Sequence, residues 1–242
     1  MKILFSPSKT LAKKPLFEAI YPSVPRFEED AKAMYRILSK FSKSKLSTMM
    51  KLEGKLLDET HAMVKLGYEN HPKSSALRTY TGLAYRQLEI ESYTQAQWAY
   101  LKDHVCILSA LYGILRPEDQ IVPYRLDFTM TFPKPSLRQR WTPKLLEVFK
   151  EEDWILNCAS EEFSSLLSAY ADKMHTVIFY DEVKGQYKVN SAEAKKARGA
   201  FLNRCVLQHV QTQKDLASIS LPNYRKELSL SSLTQSVFIR IQ

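Results

Sequence analysis

Residues 107–127 read Ile-Leu-Ser-Ala-Leu-Tyr-Gly-Ile-Leu-Arg-Pro-Glu-Asp-Gln-Ile-Val-Pro-Tyr-Arg-Leu-Asp, and this stretch constrains the fold more than any other. An apolar run from Val105 to Leu108 breaks at Ser109. A short apolar turn then ends at Arg116-Pro117, and Glu118, Asp119, Tyr124, Arg125 and Asp127 follow closely. A buried strand followed by a stiff polar loop between two prolines is a frame on which binding chemistry is often carried. An ion-paired turn that only joins two elements would look the same in sequence.

The rest of the chain alternates the two kinds of element. Lys2 to Phe5 reads as a first buried strand, left by the polar loop Ser6-Pro7-Ser8-Lys9-Thr10. Pro15, Pro22 and Pro25 keep the next stretch extended or turned. Phe27 to Phe41 has helical spacing, with Ala31, Met34, Tyr35 and Leu38 on one side. Helices are expected from Ser44 to about Met50, from Lys55 to about Glu69, and from the capping-box spacing at Thr94-Gln95-Ala96-Gln97 to about Asp103. Further on, Trp154 to Ala159 reads as a buried strand, with Ser160 as cap of the next helix. Thr176 to Tyr180 and Gln186 to Val189 frame a hairpin, a capped helix runs from Asn190 to about His209, and Val237 to Ile241 alternates as a last strand. No repeat or linker interrupts the 242 residues. The fold class expected is α+β, a single mixed α/β domain over 1–242 with a helical subregion at about 26–72.

Composition excludes some functions and favours others. Six glycines leave little room for a glycine-rich phosphate loop, and no apolar run approaches a membrane span. Met1-Lys2 leads directly into Ile3-Leu4-Phe5, too short for a signal-peptide core, so a cytoplasmic protein with no membrane partner is expected. Cys106, Cys158 and Cys205 show no metal spacing and read as buried free thiols. The five histidines form no HExxH and no short-spaced pair, so neither a metal site nor a cofactor is assigned. The net charge of +9 favours polyanions, nucleotides or phosphorylated ligands.

Two further segments carry candidate chemistry. In Ala194-Lys195-Lys196-Ala197-Arg198-Gly199-Ala200-Phe201, the residues Ala194, Ala197, Phe201 and Cys205 share one apolar helix stripe. Arg198 lies only ~40° from its centre, while Lys196 points nearly opposite. A guanidinium at the edge of a buried face must find acceptors, either an internal carboxylate such as Asp127 or a ligand phosphate. Gly199 admits close approach of another backbone or a ligand. Leu46 to Leu57 reads as two short helices around a tight turn, with Lys51, Gly54 and Lys55 placed as in a helix-hairpin-helix, or as an ordinary helical corner. Tyr80, Gly82, Tyr85 and Arg86 could stack a base, or simply pack.

Taken in order, these segments resemble the YaaA family of peroxide-stress resistance proteins. The resemblance rests on Ser6-Pro7-x-Lys9-Thr10-Leu11, Leu46 to Leu56, Gly82-x-x-Tyr85, and Leu108-Ser109-x-Leu111-Tyr112-Gly113-x-Leu115-Arg116-Pro117-x-Asp119. It continues in Pro123-Tyr124-Arg125-Leu126, Asn157-x-Ala159-Ser160-x-Glu162 and Ala194-Lys195-Lys196-Ala197-Arg198-Gly199. Ala110 stands where the family usually has glycine, Asp127 where it has glutamate, Phe128 where it has methionine, and Ala192-Glu193 where it has an aromatic pair. The resemblance implies the YaaA type of mixed fold with a helix-hairpin-helix-like element. It also implies a bacterial cytoplasmic protein that limits iron-driven oxidative damage and binds DNA, expected as duplex, through a basic cleft.

Two functions from different classes follow. As a nucleic-acid-binding protein, the chain would use Lys51, Gly54 and Lys55 on a phosphate backbone. Lys9, Arg116, Arg125, Lys195, Lys196 and Arg198 would supply anion contacts, with Tyr112 or Tyr124 against a base. As an enzyme on a nucleotide-like or phosphorylated small ligand, it would draw acid-base groups from Lys9, Asp119, Asp127 and Lys195. Direct iron binding by Asp119, Asp127 and Glu162 is a third alternative.

Overall fold

Strand β1 (Lys2–Phe5) is the pivot of the architecture in this computed structural model, which describes residues 1–12 and 21–241. Pro15 therefore lies outside the described residues. After β1 come helices α1 (Glu28–Ser39), α2 (Lys43–Met50) and α3 (Gly54–Leu66), the short strand β2 (Ser74–Ser75), the single turn α4 (Ala76–Thr79) and α5 (Gln95–His104). The centre of the chain forms β3 (Val105–Ser109), β4 (Gly113–Leu115), β5 (Gln120–Ile121) and α6 (Leu137–Phe149). The remainder forms β6 (Ile155–Asn157), α7 (Glu161–Ser164), β7 (Met174–Val183), β8 (Gln186–Lys188), α8 (Ser191–Gln208), β9 (Tyr224–Lys226) and β10 (Gln235–Arg240).

The main sheet has the order β4-β3-β1-β6-β7-β10-β9, with β8 paired to the outer part of β7. The pairs β1–β3, β1–β6, β6–β7 and β7–β10 are parallel; β3–β4, β7–β8 and β9–β10 are antiparallel. Strand β1 has a parallel neighbour on each side, in register Ile3↔Val105 and Ile3↔Leu156. Such an interior strand is covered on both faces, so Ile3, Leu4 and Phe5 are a continuous apolar run and all are buried. The same reason corrects the expected alternation near the carboxyl end. In β10, Ser236 to Ile239 are all buried, because the strand runs between β7 and β9.

Helix ends follow local chemistry. Thr94 and Gln97 form a reciprocal capping box at α5, and Asn190 Oδ1 accepts from Ala192 N and Glu193 N at the start of α8. Ser160 does not cap α7 with its side chain, contrary to expectation. Its backbone N–H donates to Ser6 Oγ at 2.8 Å, which ties the exit of β6 to the exit of β1. Helix α6 was not anticipated. Ser136 and Gln139 form its capping box, and Leu137, Trp141, Leu145 and Phe149 make its buried face. Burying a ring such as Phe149 contributes about 2–3 kcal/mol before entropy is counted.

In α8, the stripe Ala194, Ala197, Phe201 and Cys205 is buried as its spacing requires, widened by Leu202 and Val206. Phe201 meets Phe179 of β7 and Phe238 of β10 edge-on, at 6.3 and 5.7 Å between ring centres. A Cβ on Gly199 would lie 1.9 Å from the carbonyl oxygen of Ala84, so this glycine lets the 84–87 turn lie directly on the helix. That contact fixes one wall of the site described next.

Candidate functional site

The sheet creates the recess. From β1 the chain departs to one side to build β3 and β4, and it returns on the other side as β6. The loops leaving β1 and β6 therefore part at the carboxyl ends of two neighbouring strands, which is the usual ligand crevice of a parallel sheet. A cavity of about 320 Å³ lies there. Phe5 and Ser6 to Thr10 form its floor and one lip, and residues 82–85, 124–127, 158–163 and α8 complete it.

Several hydrogen bonds hold its rim. Tyr85 donates to the carbonyl of Ser6 at 2.8 Å, and Ser6 Oγ donates to Ser160 Oγ at 3.3 Å. The buried hydroxyls of Tyr80, Tyr124 and Ser109 form a chain, 2.7 Å from Tyr80 to Tyr124 and 2.8 Å from Tyr124 to Ser109. Ser109 Oγ also accepts from the backbone N–H of Leu111 and Tyr112. The break in the apolar run at Ser109 thus anchors the segment that carries Arg125 and Asp127.

The charged groups are unevenly satisfied. Lys9 Nζ meets Asp127 Oδ2 at 2.5 Å; the lysine side chain is 60% exposed and the aspartate 3%. Asp127 Oδ1 accepts from Thr129 N at 2.9 Å and from the Thr129 hydroxyl. Burial pushes the Asp127 carboxyl up, but Lys9 and Thr129 together outweigh it and hold the group below the ordinary carboxylate range. The Glu162 carboxyl moves the opposite way. Burial raises it, the charge of Asp127 raises it further, and a hydrogen bond from Phe128 N at 3.1 Å only partly offsets both. Arg125 Nε and Arg198 Nε are shielded from solvent and have no hydrogen-bond partner among the described residues. Burial lowers the pKa of Arg198. Burial also pushes the Cys158 thiol up to about 12, despite Arg198, so it stays protonated at neutral pH.

The sign for Asp127 gives a test. Its folded pKa lies below its unfolded value, so the interaction stabilises the fold above about pH 4 and is lost as pH falls through the lowered folded value. Urea midpoints measured from neutral to acid pH should fall less steeply for Asp127→Asn than for the parent chain. The difference should be modest, because Lys9 is largely in water.

Of the residues singled out from sequence, Lys9, Tyr124, Arg125, Asp127, Lys195 and Arg198 line this one recess. Lys51 lines an adjoining recess of about 230 Å³ that shares Lys9, Arg125, Asp127 and Met130 with the first. Lys51 ends α2 in the left-handed conformation, with φ +52, and Gly54 opens α3 with φ +54. Gly54 and Lys55 are exposed at the start of α3. Other candidates lie elsewhere. Arg116 bonds Asp119 and the carbonyl of Val24, so that part of the polar loop is an ion-paired turn. Asp119 also accepts from Ser23 and from Arg116 N, which separates it from the carboxylates of the recess. Tyr112 is fully buried; its hydroxyl accepts from Val122 N and donates to Tyr68, leaving no face for a base. Lys196 pairs with Glu193 at 2.9 Å. Among the described residues, no three His, Cys, Asp or Glu side chains are placed to hold a metal ion. Nor is any helix long and apolar enough to cross a membrane.

The family model described as Peroxide stress protein YaaA matches residues 1–229. The chain belongs to that family. A UPF0246 protein of Fusobacterium nucleatum is 33% identical over 246 residues, covering 99% of each chain. UPF0246 proteins of Desulforapulum autotrophicum and Pediococcus pentosaceus are each 31% identical, over 99% of this chain and 99% and 98% of their own. UPF0246 is the same family, so the YaaA resemblance carried by the motifs holds over the whole chain. Within this YaaA-family fold, the sequence marked Glu162 only as a motif acid and a possible iron ligand, Tyr85 as a base-stacking residue, Ser6 as part of a polar strand exit and Cys158 as a buried free thiol; all four line the recess. The available signal was position. Asn157-x-Ala159-Ser160-x-Glu162 directly follows a strand that neighbours β1.

Proposed function

We propose that this protein serves the peroxide-stress response by binding a compact anion, a phosphorylated or nucleotide-like molecule, in the recess between β1 and β6. One observation carries this reading: two guanidiniums, Arg125 and Arg198, have buried Nε–H donors without acceptors among the described residues, on the walls of a single cavity. Leaving such donors unpaired costs free energy that a phosphate oxygen would recover. The cavity volume lies in the small-molecule range, and Phe5, Tyr85, Leu126 and Phe163 offer apolar surface for a ring. Lys9, Asp127 and Lys195, three of the four acid-base candidates of the enzyme alternative, stand beside them, while Asp119 lies elsewhere.

Duplex DNA is the second candidate, supported by the position of Lys51. The left-handed turn after α2 adjoins the recess through Lys9 and Arg125, so a phosphate backbone could run from one to the other. This is the DNA contact expected of a helix-hairpin-helix-like element, and limiting iron-driven damage would follow from occupying DNA. Titration calorimetry with inorganic phosphate, adenosine 5′-monophosphate and a short duplex, at about 50 and 200 mM salt, separates the two. A small-ligand site gives binding of the monophosphate with a shallow salt dependence. A DNA site gives duplex affinity that falls by orders of magnitude, and Lys51→Ala then reduces the salt slope by about one. Failure of the monophosphate and phosphate to bind at low salt rejects the first proposal.

A further inference from the structure

The two carboxyl groups on the wall of the recess are bonded very differently. Both oxygens of Asp127 are occupied, Oδ2 by Lys9 and Oδ1 by Thr129. Glu162 uses only Oε1, which accepts from Phe128 N. No described residue hydrogen-bonds Oε2. The charged groups around Glu162 come from every neighbouring element. Lys9 faces it from the loop after β1 and Asp127 from the segment after β5. Arg138 of α6 approaches it and donates to its backbone carbonyl at 3.0 Å. Lys195 and Arg198 of α8, and Arg125, line the same cavity. Burial and the neighbouring aspartate outweigh the cations, and the carboxyl holds its proton to higher pH than a glutamate in water.

An oxyanion presents only acceptors. A carboxylate facing it has nothing to donate and repels it, whereas a neutral carboxyl donates one O–H. An incoming anion also adds negative charge beside Glu162, which raises its proton affinity further. Resting on the anion-site reading above, we propose that Glu162 is the specificity-determining group of the recess. It meets the ligand as a neutral carboxyl, donating its O–H to an oxyanion held by Arg125 and Arg198, so that occupancy takes up one proton from solvent. The ligand class is an oxyanion with acceptor oxygens only at that point, such as a fully ionised phosphate monoester, and not an amine or an alcohol.

Calorimetry with inorganic sulfate and with adenosine 5′-monophosphate, in two buffers of different ionisation heat between about pH 6 and 8, reads the proton directly. Sulfate has no proton of its own to exchange in that range. The expected result is uptake approaching one proton per sulfate at the upper end, with affinity falling toward tenfold per pH unit. Glu162→Gln, whose amide N–H replaces the O–H, should bind sulfate within about threefold of the parent at low pH and lose both the uptake and the pH dependence. Equal proton uptake in parent and variant overturns the proposal, as does loss of binding in a variant with an unchanged melting curve. A parent chain that binds neither probe sinks the anion site itself, a different result from binding without proton uptake. A second measurement stands apart from ligand and variant. Carbon-13 NMR of the carboxyls in the free protein should show Glu162 titrating above the ordinary glutamate range, and an ordinary titration overturns the proposal.

Discussion

Replacing Gly199 by alanine should destabilise the protein by about 3 kcal/mol or more and distort the recess. The added Cβ would sit 1.9 Å from Ala84 O, with Ala84 C at 2.7 Å, and both are backbone atoms that cannot rotate away. Overpacking in a well-filled interior typically costs about 1–3 kcal/mol, and relief here requires moving α8 or the 84–87 turn. The turn bears Ala84 and Tyr85 and the helix bears Lys195 and Arg198, so either movement widens the cavity. Urea unfolding reads the stability, and anion titration of the surviving folded fraction reads the site. A variant as stable as the parent would show that this contact does not hold the wall.

Arg198→Met should do the reverse: weaken binding of adenosine 5′-monophosphate by at least about thirtyfold while leaving the melting temperature unchanged or higher. The side chain is half-buried and its Nε is shielded from solvent with no acceptor among the described residues, so the empty protein already bears part of its desolvation cost. Methionine keeps much of the stem and removes the charge. Truncating one side of a buried charged contact commonly costs about 2–5 kcal/mol of binding, which is the origin of the expected factor. A variant that unfolds would identify Arg198 as a structural ion-pair member. A stable variant with undiminished binding would remove it from the site.

The sequence marked most elements that polar chemistry punctuates. The capping pattern at Thr94–Gln97, the Asn190 cap and the stripe on α8 are local, and the folded chain keeps them. Helix α6 escaped because Pro143 lies in its middle and reads as a break, although Ser136-x-x-Gln139 announces its start. The recess was legible as a set of residue types, since a guanidinium on a buried stripe and a lysine after a buried strand both need partners. What sequence could not supply was pairing. Asp127 took Lys9 rather than Arg198, and Arg116 took Asp119, because such choices depend on which loops the sheet brings together. Glu162 was visible only as the acid of the Asn157-x-Ala159-Ser160-x-Glu162 motif and as a possible iron ligand. Its proximity to Asp127 exists only once β6 lies beside β1.

The central place of β1 has a consequence for how the chain is made. Its four residues are synthesised well before either sheet partner, one about a hundred residues later and the other about a hundred and fifty. Until Ile155–Asn157 emerges, the apolar run Ile3-Leu4-Phe5 keeps at least one open hydrogen-bonding edge in the nascent polypeptide. Arg198 arrives later still. The cavity is therefore among the last parts to assemble, and a truncated translation product carries the sticky strand without the pocket that justifies it.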